Sequence, residues 1–95
     1  MSGSKVNLYN ITMTSADTEY EQEIPGGARR LEFQCQGAFA IRYAFVTGKV
    51  ATPTAPYKTL KANGIEMIDG LFLSGIILYL ASSEAAQVVE LEVWR

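Results

Sequence analysis

The sequence predicts an all-β domain: an antiparallel β-sandwich, of plain or jelly-roll type, built from seven or eight short strands. Three observations carry that expectation. Apolar residues recur with period two, turn-forming residues break the chain at short intervals, and no stretch of roughly ten residues has the 3.6-residue period of an amphipathic helix.

In chain order, residues 6–13 and 19–24 alternate imperfectly but are β-branched or aromatic enough for strands. Residues 31–35 set Leu31, Phe33 and Cys35 on one face and Glu32 and Gln34 on the other, because successive strand side chains point to opposite sides. Residues 38–46 likewise align Phe39, Ile41, Tyr43 and Phe45, with Arg42 on the opposite face. Residues 57–61 and 65–68 are shorter candidates. Residues 76–81 are apolar on both faces, as expected of a strand that lies centrally in a sandwich or has its outer face covered by another subunit. Residues 87–95 oppose Val89, Leu91 and Val93 to Glu90 and Glu92. The core is expected to draw on Leu31, Phe33, Phe39, Ile41, Phe45, Leu78, Leu80, Val89, Leu91 and Val93.

Between these runs, Pro25-Gly26-Gly27, Asp69-Gly70 and Ser74-Gly75 read as turns. Gln36-Gly37 reads as a tight hairpin, and Asn63-Gly64 is the pair preferred in a type I′ turn. Pro53 and Pro56 withdraw donors from residues 47–56, which read as an extended surface loop. Residues 83–87 include helix formers after a potential cap at Ser83. Ala86, however, stands where a capping box requires Glu or Gln, and period two resumes at Val88, so a turn is expected.

Ninety-five residues suit a single domain spanning 1–95, since two cores would each bury too little surface to fold unaided; residues 1–4 are expected to be a flexible N-terminus. A hydrophobic content of 48% with 19% charged residues excludes a disordered tail. The net charge of −2 provides no basic field for DNA or anionic lipid, so neither direct nucleic-acid binding nor membrane attachment is expected. The N-terminal residues lack the apolar run of a secretory leader, and on this basis Asn10-Ile11-Thr12 is a chance glycosylation match.

Catalytic chemistry finds little support. The chain has no His and one Cys, which removes imidazole catalysis, an internal disulfide and multi-thiolate metal sites. Cys35 alternates with Leu31 and Phe33 and is expected to be a small buried hydrophobe. Glu90 and Glu92 share a strand face at about 6.6–6.8 Å between Cα atoms, a spacing suited to paired glycosidase carboxylates. They nevertheless oppose an apolar triplet as a solvated face does, and Glu19, Glu21 and Glu23 read the same way. Gly48-Lys49 is not a phosphate loop, because Tyr43 and Val50 stand where its first Gly and its Ser or Thr belong. No enzyme activity, cofactor or metal is expected.

Contact residues are the better candidates. Arg29 and Arg30 follow a Gly-Gly turn, Tyr57 follows a proline loop, and Trp94 falls on the face of Glu90 and Glu92, where an exposed indole calls for a cover. Together with Arg42 these are the expected partner-binding residues; for Arg42 the competing expectation is a pairing with a carboxylate across the sheet. A carbohydrate-binding module is a further alternative, with Tyr9, Tyr20, Tyr57 and Trp94 as aromatic platforms.

Gly27-Ala28-Arg29-Arg30-Leu31-Glu32-Phe33-Gln34-Cys35, the segment from Ile41-Arg42-Tyr43-Ala44-Phe45 to Tyr57, and Leu78-Tyr79-Leu80-Ala81-Ser82 with residues 88–94 resemble a group of small virion structural proteins of tailed bacteriophages. The resemblance covers most of the chain from Tyr9 onward, apart from residues 63–74. It implies a place in a particle. The expected function is therefore that of a capsid decoration or cement protein, made in the host bacterial cytoplasm and bound in the virion. It would sit over contacts between major capsid proteins as a homo-oligomer, with a trimer as the first expectation. A tail, collar or fibre-base component is the structural alternative.

Overall fold

The structure is a computed structural model that describes residues 6–36, 39–69 and 76–95. It contains eight strands and, among the described residues, no helix: β1 (Val6–Met13), β2 (Tyr20–Glu23), β3 (Arg30–Cys35), β4 (Ile41–Ala44), β5 (Lys58–Leu60), β6 (Ile65–Asp69), β7 (Ile77–Ser82) and β8 (Gln87–Trp94). They form two four-stranded antiparallel sheets, sheet A in the order β1-β8-β3-β6 and sheet B in the order β2-β7-β4-β5.

The pairs β1·β8, β2·β7, β3·β6 and β4·β5 are nested like the two arms of one long hairpin. Rolling that hairpin brings β8 beside β3 and β7 beside β4, which is the jelly-roll arrangement. The β4–β5 loop is the tip. Every other connection crosses from one sheet to the other. Each of the four crossings that is described throughout contains one left-handed residue, Asp17, Gly27, Asn63 or Ala86, which turns the chain through the corner.

This topology revises two turn expectations. Gln36-Gly37 makes no hairpin, since β3 and β4 belong to different sheets; Gly37 itself lies outside the described residues. At Asn63-Gly64 the turn is centred one residue earlier than a type I′ turn on that pair. The Gly64 amide donates to the Lys61 carbonyl at 2.8 Å, Asn63 alone is left-handed, and the turn changes sheet. Asp69 ends β6, while Gly70, the Ser74-Gly75 turn and the N-terminal residues 1–4 fall outside the described residues.

Alternation is clearest where both neighbours are paired. In β3 and β8 every second residue is buried, and Leu31, Phe33, Cys35, Val89, Leu91 and Val93 face Leu78, Leu80 and Ile41 from sheet B. Phe33 meets Tyr43 edge to face at 4.9 Å across the core, a contact worth about 0.5–1.5 kcal/mol beyond its burial. Two expected core residues are not there. β4 is only four residues long, so Phe39 precedes it and Phe45 follows it, and they remain 47% and 40% exposed. Period two applies only while the chain stays in a sheet.

Candidate interaction surface

The two outer faces of the sandwich differ. On sheet B, β7 turns Ala81 and Tyr79 outward beside Ala44, and the loop of residues 47–56 folds back to bury Val50 against them. Arg42 fastens that loop. Its Nε donates to the Val50 carbonyl at 2.7 Å, and a terminal nitrogen reaches Asp17 Oδ1 at 2.9 Å and the Ala51 carbonyl at 3.4 Å. Glu19 holds the start of the loop by accepting from Thr47 Oγ1 and the Gly48 amide. The chain therefore covers its own two-faced strand and needs no neighbour there. Arg42 is accordingly committed to its own chain, to a carboxylate of the β1–β2 loop and two loop carbonyls.

The outer face of sheet A has no such cover among the described residues. The strand register lays it out in rows. Val6, Trp94 and Arg30 make the first; Leu8, Glu92, Glu32 and Met67 the second; Asn10, Glu90, Gln34 and Ile65 the third. Apolar side chains thus flank an acidic ridge in which Glu32 and Glu92 stand directly opposite one another, an unfavourable like-charge pair. Glu32, Glu90 and Glu92 border a shallow depression of about 160 Å3. Trp94 is 37% exposed and Leu8 71%. Arg30 lies beside Trp94 and directs a guanidinium nitrogen to Met67 Sδ at 2.7 Å, while the Arg29 amide donates to the Trp94 carbonyl. The structure therefore gathers Arg29, Arg30 and Trp94 at one end of this face. Val6 shares their row, Leu8 and Met67 lie in the next and Ile65 in the one beyond, apolar positions that the sequence does not single out.

Tyr57 lies elsewhere, at the tip of the nested hairpin. With Phe45, Val46 and Pro56 it lines an apolar cleft of about 260 Å3. At the same end Tyr43 Oη donates to Glu66 Oε2 at 2.7 Å, and Lys58 Nζ approaches the same oxygen at 3.5 Å, tying sheet B to the edge of sheet A. Burial, with the hydrogen bond to Glu66 and its negative charge added, pushes the Tyr43 hydroxyl well above its ordinary value. That hydrogen bond in turn holds the Glu66 carboxyl below the usual carboxylate range. The arrangement links two sheets through a satisfied pair.

Other candidates resolve into structural roles. Cys35 is fully buried and its thiol donates to the Phe39 carbonyl at 3.2 Å. Glu21 and Glu23 are exposed. Tyr9 and Tyr20 pack on the core from β1 and β2. Among the described residues no three His, Cys, Asp or Glu side chains converge on a potential metal position, and no helix is long and apolar enough to cross a membrane.

Neither the family models nor the curated proteins contain a match to this chain. Among solved structures, it is similar to a de novo designed double-stranded β-helix determined by solution NMR. The TM-score is 0.54 and the identity 12%, over 96% of this chain and 99% of the designed one. That likeness concerns the fold, and it agrees with the nested strand pairing described above.

Proposed function

We propose that this chain is a non-enzymatic structural protein of a tailed-phage virion, a capsid decoration protein seated over contacts between major capsid proteins. The observation that carries the reading is the outer face of sheet A, where Trp94 lies uncovered beside Arg30 with Val6 and Leu8 next to it. Aromatic and Arg side chains set in an apolar surround are the usual anchors of a protein interface, and a monomer has no use for them in water. The rigid jelly roll holds these anchors on paired strands, so little ordering entropy is lost on docking. The resemblance of residues 27–35, 41–57, 78–82 and 88–94 to virion proteins supplies the setting.

The test is to add purified chain to particles stripped of their accessory proteins and to count the copies retained. A decoration protein binds at many copies per shell, and Trp94→Ala weakens binding at least tenfold without changing the melting temperature by more than a few degrees. Retention of only a few copies at one vertex would move the chain to the collar or tail. No retention at all would overturn the reading.

A further inference from the structure

A sheet edge exposes unpaired amides and carbonyls, and natural sandwiches blunt such edges with short strands, charges or prolines. Three of the four edges of this sandwich are protected in that way. β5 is three residues long and begins with Lys58; β2 is four residues long and carries Glu21 and Glu23; β6 turns Glu66 toward the interior, where it meets Tyr43. β1 has none of these devices. It is eight residues long, contains no charged residue and no proline, and pairs with β8 residue for residue without a bulge. Among the described residues, no backbone group of β1 bonds outside the β8 ladder. Val6 and Leu8, 43% and 71% exposed, stand along this same edge.

We propose that β1 is a docking edge for a second copy of this chain, paired antiparallel about a two-fold axis so that two four-stranded sheets merge into one of eight strands. The composition of β1 favours its own copy. A strand opposed to itself sets like charges together whenever it carries charge, and β1 carries none. A two-fold axis normal to the sheet also keeps outward residues facing outward, which places Val6 and Leu8 of both chains along the seam and removes them from water. Within sheet A, the carboxylates nearest the seam, Glu90 and Glu92 of β8, then lie three strand spacings from their counterparts. That is about 14 Å, beyond the Debye length of about 8 Å at physiological ionic strength. This contact closes at two copies, so any clustering in threes uses another surface. The inference concerns the free chain and holds or fails independently of the particle reading.

The experiment is sedimentation of the purified chain across concentration, combined with amide hydrogen exchange. The expected result is a monomer–dimer equilibrium in which the alternate β1 amides that point away from β8 exchange quickly in dilute protein and slowly in concentrated protein. Leu8→Lys, which places two lysines at the seam, raises the dimer dissociation constant by about tenfold or more, with the fold preserved because position 8 faces solvent. Thr12→Lys, also at an exposed outward position, acts in the same direction and serves if the first variant is destabilised. A chain that stays monomeric at several hundred micromolar overturns the proposal. So does a dimer whose β1 amides stay unprotected or that survives both lysines. Protection of β1 only on adding emptied capsids would assign the edge to a foreign strand and overturn self-pairing as well.

Discussion

Replacing Arg42 by Met tests whether the chain seals its own sheet B. The Met side chain keeps the apolar stem and removes the guanidinium, leaving the carbonyl of the fully buried Val50 without its 2.7 Å donor. A hydrogen bond from a charged group to a buried carbonyl is worth about 1.5–3 kcal/mol. The ion pair with Asp17 adds little, because the Asp17 side chain is 59% exposed against 13% for Arg42 and solvent screens the pair to about 1 kcal/mol or less. The variant should therefore lose about 2–3 kcal/mol. At about 4–8 °C per kcal/mol for a domain of this size, its melting temperature falls by roughly 10–20 °C. Calorimetry and urea titration measure the loss, and limited trypsin digestion at Lys49 reports whether the loop has lifted. Asp17→Asn is the control and should cost no more than about 1 kcal/mol. If Arg42→Met melts within a degree or two of the parent, or if Asp17→Asn costs as much, the loop is not held as described.

Other perturbations probe the seam between the sheets and one corner. Glu66 titrates below its ordinary value of 4.5, so the stability it contributes is present above that pH and is lost as pH falls through the lowered value. Tyr43 is raised above its ordinary value of 10.0, so its contribution is present below that pH and is lost as pH rises past it. Tyr43→Phe should cost about 1 kcal/mol at neutral pH and flatten both limbs of the stability profile, as urea midpoints across pH would record. Gly64→Ala sets a Cβ 2.8 Å from the Lys61 carbonyl oxygen and 3.1 Å from Leu60 Cδ1, so backbone must shift. A loss of about 1–3 kcal/mol is expected in the same titration.

The strands legible in the sequence are those whose two faces meet different surroundings. Residues 31–35 and 87–95 alternate because each has a paired neighbour on both sides and one face in the core. The same rule overreached at Phe39 and Phe45, where the chain has left the sheet and parity no longer predicts depth. For residues 76–81 the sequence leaves open a central strand or one covered by another subunit; β7 is central, between β2 and β4, and nothing periodic in residues 47–56 reveals that Val50 covers its outer face. The Tyr43–Glu66 link joins residues in different sheets and leaves no local signal. At the candidate surface, the outward position of Trp94 followed from counting along residues 89–94. Its convergence with Arg30 and Val6 depends on the β1·β8 and β3·β8 registers, which long-range packing sets.

The functional account turns on whether the outer face of sheet A is the face that meets a partner. Chemical footprinting of the chain free and bound to emptied capsids measures this directly, with indole oxidation at Trp94, carbodiimide labelling at Glu32 and Glu92, and phenol modification at Tyr57 as the internal comparison. The account predicts that Trp94, Glu32 and Glu92 become shielded on the particle while Tyr57, at the hairpin tip, stays as reactive as in the free chain. Unchanged reactivity at Trp94 with shielding confined to Tyr57 would place the contact at the other end of the molecule and contradict it.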